Sequence, residues 1–538
     1  MMMMMMMMVM MKMMMMMMMM MMMFCSSYKI AIFTSDFSGS QLIFNKKVAE
    51  TLAKAGHDVV IYRIRSMGFK NVEVHMDQKL IKVSDVIAYS EDDFEAFNQE
   101  LGEVFFNEFS FFDAKTRNIH QKFMDMLVNS CSEILRMKSL IFSIKNERFD
   151  LAFGSSYDYC SVGLIYESGI PTWIWLNSGP LADTVAHDIG VSSPPSYVPL
   201  VWADSGDEMG FTKRFMNLVL RSLMPIYTAK YLSGPETELF RKFIKSDFPD
   251  LRDLAQNCPL VMVDSDDLYD FPRPTLGKVI NIGGLGLTKK NFNLEEKLKI
   301  KLEKFDFGII FSLGAVTNSS MMTPEWKNAL LETFSSFPKT LFFFRYVDED
   351  LDEKIGNNVF ISKWLPQFDL LNHPKIKILI SNCGYSSLQE AIYSSKPIIG
   401  IPLFGDQKRN SKIIEKHEIG LVISKSHMTF EKLSSSIRIL LLEKKFLQNI
   451  QKLNKKVLNQ PFSPEEKLLK WTEFLAENKD LSQMNPSGNY LSFVEYHNLD
   501  VFWTLGFFFF FIIWILFKIS GCFISCFDKP ITSEKKNN

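Results

Sequence analysis

Residues 364–407 constrain the fold of this chain more than any other stretch. They contain an apolar strand at 376–381, a turn at 382–384, a helix after the turn, and a second apolar strand at 397–402. Strands this rich in Ile and Leu are typical of parallel sheets that are covered on both faces. Such sheets bind ligands at the carboxyl ends of their strands. We therefore expect a ligand site at the turn that follows the first of these strands.

The same stretch resembles the signature region of the membrane-bound UDP-glycosyltransferases, which include the UDP-glucuronosyltransferases and their invertebrate relatives. The resemblance extends from about residue 28 to the C-terminus and is closest at 260–286 and 364–407. It implies an α/β fold in the GT-B arrangement, in which two Rossmann-like domains face a cleft. In that arrangement the N-terminal domain binds the acceptor and the C-terminal domain binds the UDP-sugar.

The resemblance also implies which side chains bind the donor. Trp364 would stack on the uracil, Gln367 would bond to the nucleoside, and Glu390 would bind the ribose hydroxyls, since an indole suits a base and a carboxylate suits a diol. Asp406 and Gln407 would bind sugar hydroxyls, and a helix N-terminus beside them suits the diphosphate. The full set expected around the donor is Ser312, Gly314, Arg345, Trp364, Gln367, Asn382, Gly384, Ser386, Glu390, Asp406 and Gln407.

Several of these residues also have a plainer interpretation when each is taken alone. Trp364 fits a half-buried aromatic, and Asp406 with Gln407 fits a polar turn. Ser387 and Glu390 have the spacing of a capping box, in which the carboxylate only binds an orphan amide at a helix N-terminus. The spacing and order of the whole set favour donor binding.

The catalytic positions of the family are altered in this chain. The family inverts the anomeric centre in one displacement, in which a histidine after the first strand takes the acceptor's proton and a nearby carboxylate orients that histidine. Aligning FSGSQLIF places Gln41 at the histidine position, and aligning FDLAFGSSYDYC places Ser155 at the carboxylate position, with Asp158 as the nearby acid. Glutamine cannot accept a proton at neutral pH. In the signature, Asn382 stands at a phosphate-facing histidine position and Cys383 at a glycine position.

Two functions of different classes follow from this pattern. The first is an enzyme that moves a hexosyl or glucuronosyl group with inversion from a UDP-sugar to a small lipophilic acceptor, as in xenobiotic conjugation. Its acceptors would bring their own nucleophile, or Asp158 or water would act as a weak base. The alternative is a UDP-sugar-binding pseudoenzyme or regulatory partner. The sequence does not specify the sugar, because Arg273 and Arg345 fit a pairing with a glucuronate carboxylate and a structural ion pair equally.

The C-terminal region predicts a membrane anchor. Residues 501–517 are uncharged, are about long enough to span a bilayer core, and are flanked by aromatic residues and Lys518. The lysines after this span place the tail in the cytosol and the preceding domains in the lumen, as in a single-pass type I protein. The terminal pair Lys535-Lys536 resembles the dilysine retrieval signal of endoplasmic-reticulum membrane proteins.

With 538 residues, the chain is long enough for two domains of ordinary size plus terminal segments. The strand 29–34, a helix with apolar residues at helical spacing, and the strand 58–62 predict a right-handed βαβ opening. The N-terminal methionine tract, with Lys12 before an apolar run, has the layout of a signal peptide, although a start-codon artefact or a disordered tail also fits. The predicted segments are the tract and signal peptide 1–27, the N-terminal acceptor domain 28–285, the UDP-sugar domain 286–475, a juxtamembrane segment 476–500, the transmembrane helix 501–517 and the cytosolic tail 518–538.

Composition excludes several other functions. The formal net charge is −1 and the Lys and Arg residues are spread along the chain, so we expect no nucleic-acid partner. The seven cysteines form no CxxC pair and no His/Cys ligand spacing, which argues against a structural metal or redox motif. We expect no metal and no resident cofactor, with the UDP-sugar as donor substrate. One lumenal disulfide and a homo- or hetero-oligomeric state are left open by the sequence.

Overall fold

The computed structural model forms two compact units, Met1–Met484 and Asn485–Asn538, and each is described by itself. The predicted signal peptide up to residue 26, residues 288–293 at the start of the predicted UDP-sugar domain, and most of the predicted cytosolic tail lie outside the described residues. The structure describes residues 27–36, 39–66, 76–89, 91–107, 113–287 and 294–527.

The first sheet consists of seven parallel strands, which are β1 Lys29–Ser35, β2 Asp58–Arg65, β3 Lys82–Ile87, β4 Leu151–Ser155, β5 Trp173–Asn177, β6 Leu260–Val263 and β7 Val279–Asn281. Their spatial order is β3-β2-β1-β4-β5-β6-β7. The parallel pairing of β1 with β2 confirms the predicted βαβ opening. Since β1 also pairs with β4, the carboxyl ends of β1 and β4 lie side by side.

The helices of the first half cover both faces of this sheet. The first of them buries Phe44, Val48 and Leu52 at helical spacing. A disulfide between Cys131 and Cys160, which the sequence left open, joins the third helix to the start of the fifth. The helices are α1 Gly39–Lys54, α2 Glu91–Phe106, α3 Ala114–Arg136, α4 Lys138–Glu147, α5 Cys160–Glu167, α6 Asp183–Asp188, α7 Phe211–Thr228, α8 Gly234–Phe243 and α9 Leu251–Gln256.

The second sheet consists of six parallel strands, which are β8 Phe307–Ser312, β9 Thr340–Arg345, β10 Val359–Ser362, β11 Ile376–Ser381, β12 Ile398–Gly400 and β13 Gly420–Val422. Their order is β10-β9-β8-β11-β12-β13. The chain crosses over between β8 and its two neighbours, β9 and β11, so the turns after β8 and β11 meet at one edge. Open α/β sheets bind ligands at such a switch point.

The helices of the second half enclose this sheet, except for the last one. That helix starts with a capping box between Ser463 and Glu466, and it buries Leu468 and Leu475 against residues of the first sheet such as Ile30. The chain therefore returns to the first half before the unit ends. The helices are α10 Glu296–Glu303, α11 Pro324–Ser336, α12 Gln367–Leu371, α13 Tyr385–Tyr393, α14 Gln407–Lys416, α15 Phe430–Leu442, α16 Lys444–Leu458 and α17 Pro464–Asn478.

The end of α2 packs into the second half. Phe105 and Phe106 are buried in the hydrophobic core around the second sheet, and the ring of Phe105 stacks on that of Phe404 with centroids 4.0 Å apart. The buried Lys425 ammonium donates to the carbonyl oxygen of Phe105 at 3.3 Å, where a cation suits a helix C-terminus. The two halves are thus joined by packing as well as by the connecting chain.

The second unit contains the short helix α18 Phe493–Tyr496 and the long helix α19 Leu499–Phe527. Residues Leu499–Ser520 of α19 have a mean hydropathy of 2.2, and none of the apolar window is buried inside the protein. The predicted span at 501–517 lies within this segment. By length and composition, α19 is a candidate membrane helix.

Candidate active site

Gln41 and Ser155 form a buried pair at the edge where β1 and β4 end. Gln41 lies in the first turn of α1, and Ser155 is the last residue of β4. The Gln41 amide Nε2 donates to Ser155 Oγ at 2.7 Å, and Ser35 Oγ donates to Gln41 Oε1 at 3.4 Å. The structure therefore brings together the two positions that the sequence aligned with the catalytic histidine and its carboxylate. The pair is neutral and cannot take a proton at physiological pH.

Asp158 lies in the same loop but is directed to the start of α5. The Ser161 amide donates to Asp158 Oδ1 at 3.3 Å, and the Tyr159 amide donates to Glu236 Oε2 at 2.8 Å. Burial raises the pKa of Asp158 and of Glu236 above the ordinary carboxyl range, and the charge of Asp158 raises that of Glu236 further. Asp158 thus takes up a proton more readily than an exposed aspartate does.

The residues expected at the nucleoside end lie together in the second half. Trp364 follows β10 and is half exposed, and the guanidinium of Arg345 lies 5.8 Å from the centroid of its ring. Gln367 begins α12, and its Nε2 donates to Glu390 Oε2 at 2.7 Å and to Ser387 Oγ at 3.1 Å. Gln367 therefore ties the Glu390 carboxylate to the loop that carries Trp364.

The capping-box interpretation of Glu390 is wrong. The helix α13 has Gly384 at its N-cap and starts at Tyr385, so Glu390 lies beyond its first turn. Its side chain binds Gln367 rather than a backbone amide of the helix end. Burial raises the pKa of Glu390, while Lys47 of the first half and Gln367 favour the carboxylate.

The turn after β8 packs on the turn after β11. Gly314 has a φ of +79°, and a Cβ atom at this position would lie 2.9 Å from Asn382 Nδ2. The Gly384 amide donates to Asn382 Oδ1 at 3.2 Å, and the buried Arg345 guanidinium donates to the Gly314 carbonyl oxygen. Ser312 ends β8 beneath this turn. Ser386 lies in the first turn of α13, and the backbone amides of such a helix N-terminus suit an anion.

Cys383 occupies the backbone conformation that glycine favours. Its φ is +62°, in the left-handed region. Its buried thiol fits above Gly400, where a Cβ atom would lie only 2.4 Å from Cys383 Sγ. The substitution at the family's glycine position is therefore accommodated by a glycine on the neighbouring strand.

Asp406 and Gln407 lie at the start of α14, opposite the first half. Asn410 Nδ2 donates to Asp406 Oδ2 at 2.8 Å, and the Leu403 amide donates to Gln407 Oε1 at 2.9 Å. The Gln407 amide oxygen is thereby fixed by the backbone. On the other side of the cleft, a Cβ atom at Gly179 would lie 4.0 Å from Asp406 Oδ2.

Sequence reasoning missed a polar cluster between the halves. Gln389 Nε2 donates to Asp264 Oδ1 at 3.0 Å, and burial raises the pKa of Asp264 to about 7. A buried ion pair joins Asp270 to Arg409, and Tyr385 Oη donates to Asp270 Oδ2 at 2.7 Å. The sequence did carry a pattern that could have predicted this cluster, since four aspartates lie within residues 264–270, directly after an apolar strand.

Arg273 and Arg345 are both bound to protein groups. The Arg273 guanidinium donates to the carbonyl oxygen of Leu181 at 3.4 Å and to the hydroxyl of Ser193, and burial lowers its pKa to about 10. Arg345 holds the Gly314 turn. These contacts favour a structural role for each arginine over a role in sugar recognition. Among the residues that the structure describes, no group of three or more His, Cys, Asp or Glu side chains is placed to hold a metal ion.

A family model described as UDP-glucuronosyl and UDP-glucosyl transferase matches residues 28–537. The chain belongs to this family. The protein named as UDP-glucuronosyltransferase ugt-47 of Caenorhabditis elegans is 30% identical, over 95% of this chain and 96% of that protein. UDP-glucuronosyltransferase 1A1 of Mus musculus is 26% identical, over 92% and 90% of the two chains. The chain is accordingly a glycosyltransferase of the UDP-glucuronosyltransferase type.

Solved structures show the same fold. A UDP-glucosyltransferase from Polygonum tinctorium, described as capable of glucosylating indoxyl and in complex with 3,4-dichloroaniline, superposes with a TM-score of 0.55. The match covers 84% of this chain and 99% of that chain at 16% identity. The glycosyltransferase of kitacinnamycin superposes with a TM-score of 0.54, covering 84% and 99% at 15% identity. The GT-B arrangement predicted from the sequence is confirmed.

The acceptor edge differs from what the resemblance implies. The resemblance implies a histidine and a carboxylate where Gln41 and Ser155 form a neutral hydrogen bond. The side chains expected to hold the donor, by contrast, converge on one edge of the second sheet. The residues expected at the donor therefore lie together in this structure, while the acceptor-side pair is a neutral Gln–Ser hydrogen bond.

Proposed function

We propose that this protein transfers a hexosyl or glucuronosyl group, with inversion, from a UDP-sugar to a small lipophilic acceptor. The observation that carries the proposal is the Gln367–Glu390 pair beside the half-exposed Trp364, on the same sheet edge as the Gly314 turn and Asp406. Trp364 suits the uracil, the Gln367–Glu390 pair the ribose, the Gly314 turn the diphosphate, and Asp406 the sugar, so together they suit one extended UDP-sugar. The donor is a substrate, and the proposal includes no resident cofactor or metal.

The proposed reaction is a single displacement at the anomeric carbon. Trp364 stacks on the uracil, and Glu390 binds the ribose hydroxyls. The amides at the start of α13, with Asn382, bind the diphosphate and stabilise the negative charge that develops on the UDP leaving group. Asp406 and Gln407 orient the sugar hydroxyls.

The Gln41–Ser155 pair offers no strong base to remove the proton of the acceptor in this reaction. Gln41 Oε1 can accept a hydrogen bond from an acceptor hydroxyl and orient it, but it cannot remove the proton. Water or Asp158 must then take it, so acidic phenols and amines with a free lone pair are the favoured acceptors. We expect slow transfer to ordinary alcohols for this reason.

A second candidate function is favoured by the same Gln41–Ser155 hydrogen bond. A neutral pair at the catalytic positions suits a UDP-sugar-binding protein with little turnover, which would act as a sensor or as a partner of an active subunit. The two functions share the donor site and differ only in product formation.

We further propose that the protein is anchored in the endoplasmic-reticulum membrane by α19, as a single-pass type I protein with both sheets in the lumen. Support comes from the exposed apolar helix and from the lysines that follow it in the sequence. Protease added to sealed microsomes should remove only the tail after the span.

The test is a donor panel on the full-length protein in detergent, with binding and product formation measured separately. UDP, UDP-glucose and UDP-glucuronate should bind, and Trp364→Ala should weaken UDP by about 1–3 kcal/mol, as for a base stacked on an aromatic side chain. Product with a phenol or an aniline supports the transferase. Binding without any product supports the second function, and an unchanged UDP affinity in Trp364→Ala refutes the uracil assignment.

A further inference from the structure

Tyr157 lies in the loop between β4 and α5, two residues after Ser155. Its backbone amide donates to Ser155 Oγ at 3.4 Å, so the loop is held directly against the Gln41–Ser155 pair. Tyr157 as a whole is partly exposed. The reaction described above gives this side chain no role.

The hydroxyl of Tyr157 reaches the loop after β5. It donates to the carbonyl oxygen of Ser178 at 3.3 Å. The next residue, Gly179, is the point of the first half that faces Asp406, since a Cβ atom on Gly179 would lie 4.0 Å from Asp406 Oδ2. The Tyr157 hydroxyl and the Asp406 carboxylate therefore approach the same two-residue segment from opposite halves of the molecule.

The chemistry of this hydroxyl makes it a hydrogen-bonding group and not a base. Burial and the nearby charge of Asp406 raise the pKa of Tyr157, so the phenol keeps its proton at physiological pH. Its bond to Ser178, at 3.3 Å, is longer than the roughly 2.7–2.8 Å usual for O–H···O, so a better acceptor can replace it. A phenol oxygen also accepts one hydrogen bond while it donates another.

We propose that the Tyr157 hydroxyl is a contact for the transferred sugar, made from the acceptor side of the cleft. The assignment depends on the proposed function, in which Asp406 and Gln407 bind the sugar from the donor side. A hexose bound to Asp406 would lie beside Gly179, whose neighbour Ser178 accepts the hydrogen bond of Tyr157 Oη. Tyr157 would thus help to select a hydroxyl-bearing ring and to hold it where the acceptor attacks.

The experiment compares Tyr157→Phe with Tyr159→Phe in the full-length protein. The dissociation constants of UDP, UDP-glucose and UDP-glucuronate are measured by calorimetry for each. Tyr157→Phe should weaken the tighter-binding nucleotide sugar by about 3–10-fold, as for the loss of one hydrogen bond. UDP has no hexose, so its dissociation constant should stay within about twofold of wild type.

Tyr159→Phe is the matched control. It removes the same atom two residues away, where the hydroxyl donates to the buried Asp188 at 2.5 Å. Its thermal stability should fall while its ratio of nucleotide-sugar affinity to UDP affinity stays at the wild-type value.

Each remaining outcome decides against the proposal. If Tyr157→Phe binds the nucleotide sugar as tightly as wild type, the hydroxyl does not touch the sugar. If UDP affinity falls by the same factor, Tyr157 only holds the loop. If the wild-type protein binds UDP and a nucleotide sugar, but Tyr157→Phe shows either of these two outcomes, the proposed function survives without this contact. If the wild type binds neither UDP nor a nucleotide sugar, the proposed function fails first.

Discussion

Restoring a proton acceptor at the Gln41–Ser155 pair should raise transfer to hydroxyl acceptors. The two side chains are 2.7 Å apart and nearly inaccessible to solvent, so Gln41→His with Ser155→Asp places an imidazole and a carboxylate within hydrogen-bond reach. The carboxylate would fix the imidazole tautomer and stabilise the imidazolium that forms. Imidazole titrates near neutral pH and can take the proton that the amide cannot.

The expected gain follows from the role of a general base. Such a base contributes about 10²–10⁴ in rate, or roughly 3–5 kcal/mol of the activation barrier. The single change Gln41→His should give less, because burial without the partner carboxylate lowers the pKa of an imidazole. The double variant should therefore exceed both single variants.

The assay is the initial rate with a phenol, an aliphatic alcohol and an aniline, over pH 5–9, with the donor that gives the most product. The alcohol should gain most, and its pH–rate profile should acquire an inflection near the imidazole pKa. The aniline attacks through its lone pair before it loses a proton and should gain little. If no variant improves alcohol transfer while UDP binding is intact, the base is not what limits turnover. An equal gain for both acceptors would assign Gln41 to pocket geometry.

Three further predictions concern other parts of the site. Glu390→Gln should weaken UDP more than a deoxy-UDP that lacks the ribose hydroxyls, and equal losses in calorimetry would exclude a contact with the diol. Asp264→Asn should stabilise the protein above pH 7: the folded pKa of about 7 exceeds the unfolded 3.8, so the stability that Asp264 contributes is complete below about pH 4 and is lost as pH rises through 7. The difference in free energy of unfolding should approach ~4 kcal/mol and vanish at pH 4, and a pH-independent difference would contradict this origin. Asn318-Ser319-Ser320 is a glycosylation sequon, but Asn318 should stay largely unglycosylated because its Oδ1 accepts hydrogen bonds from Ser320 beside the Gly314 turn. Full occupancy by peptide mass spectrometry would mean that this turn does not line the donor site.

The position of a ligand edge after β11 was predictable because the elements that form it are adjacent in sequence. The strand, turn and helix of residues 376–394 each carry a local pattern, and parallel-sheet rules place the turn at the ligand edge. The Gln41–Ser155 pair, whose residues are far apart in sequence, was expected only through the family resemblance. The family resemblance aligned both with catalytic positions, and the parallel pairing of β1 with β4 brings those positions together.

The contacts between the halves were not predictable from such patterns. Asp264 with Gln389 and Asp270 with Arg409 join residues that are more than 100 positions apart, and nothing local couples them. Two short strands were also hidden from sequence analysis. The strands β7 and β13 have three residues each, and three residues are too few to show an alternating apolar pattern. The capping-box interpretation of Glu390 failed because the helix starts earlier than the serine suggested.

The return of α17 to the first sheet has a consequence for how the protein is made. A ribosome produces the N-terminal strands first, but Leu468 and Leu475, which cover that sheet beside Ile30, come only after the second sheet is complete. Each large apolar side chain withheld from burial forgoes about 1.5–3 kcal/mol. The nascent first half should therefore expose an apolar surface of its sheet while the second half is synthesised. We expect it to depend on chaperones during that time. A version of the protein shortened to remove α19 should keep the chain through Met484, since an end after α16 would leave that surface uncovered permanently.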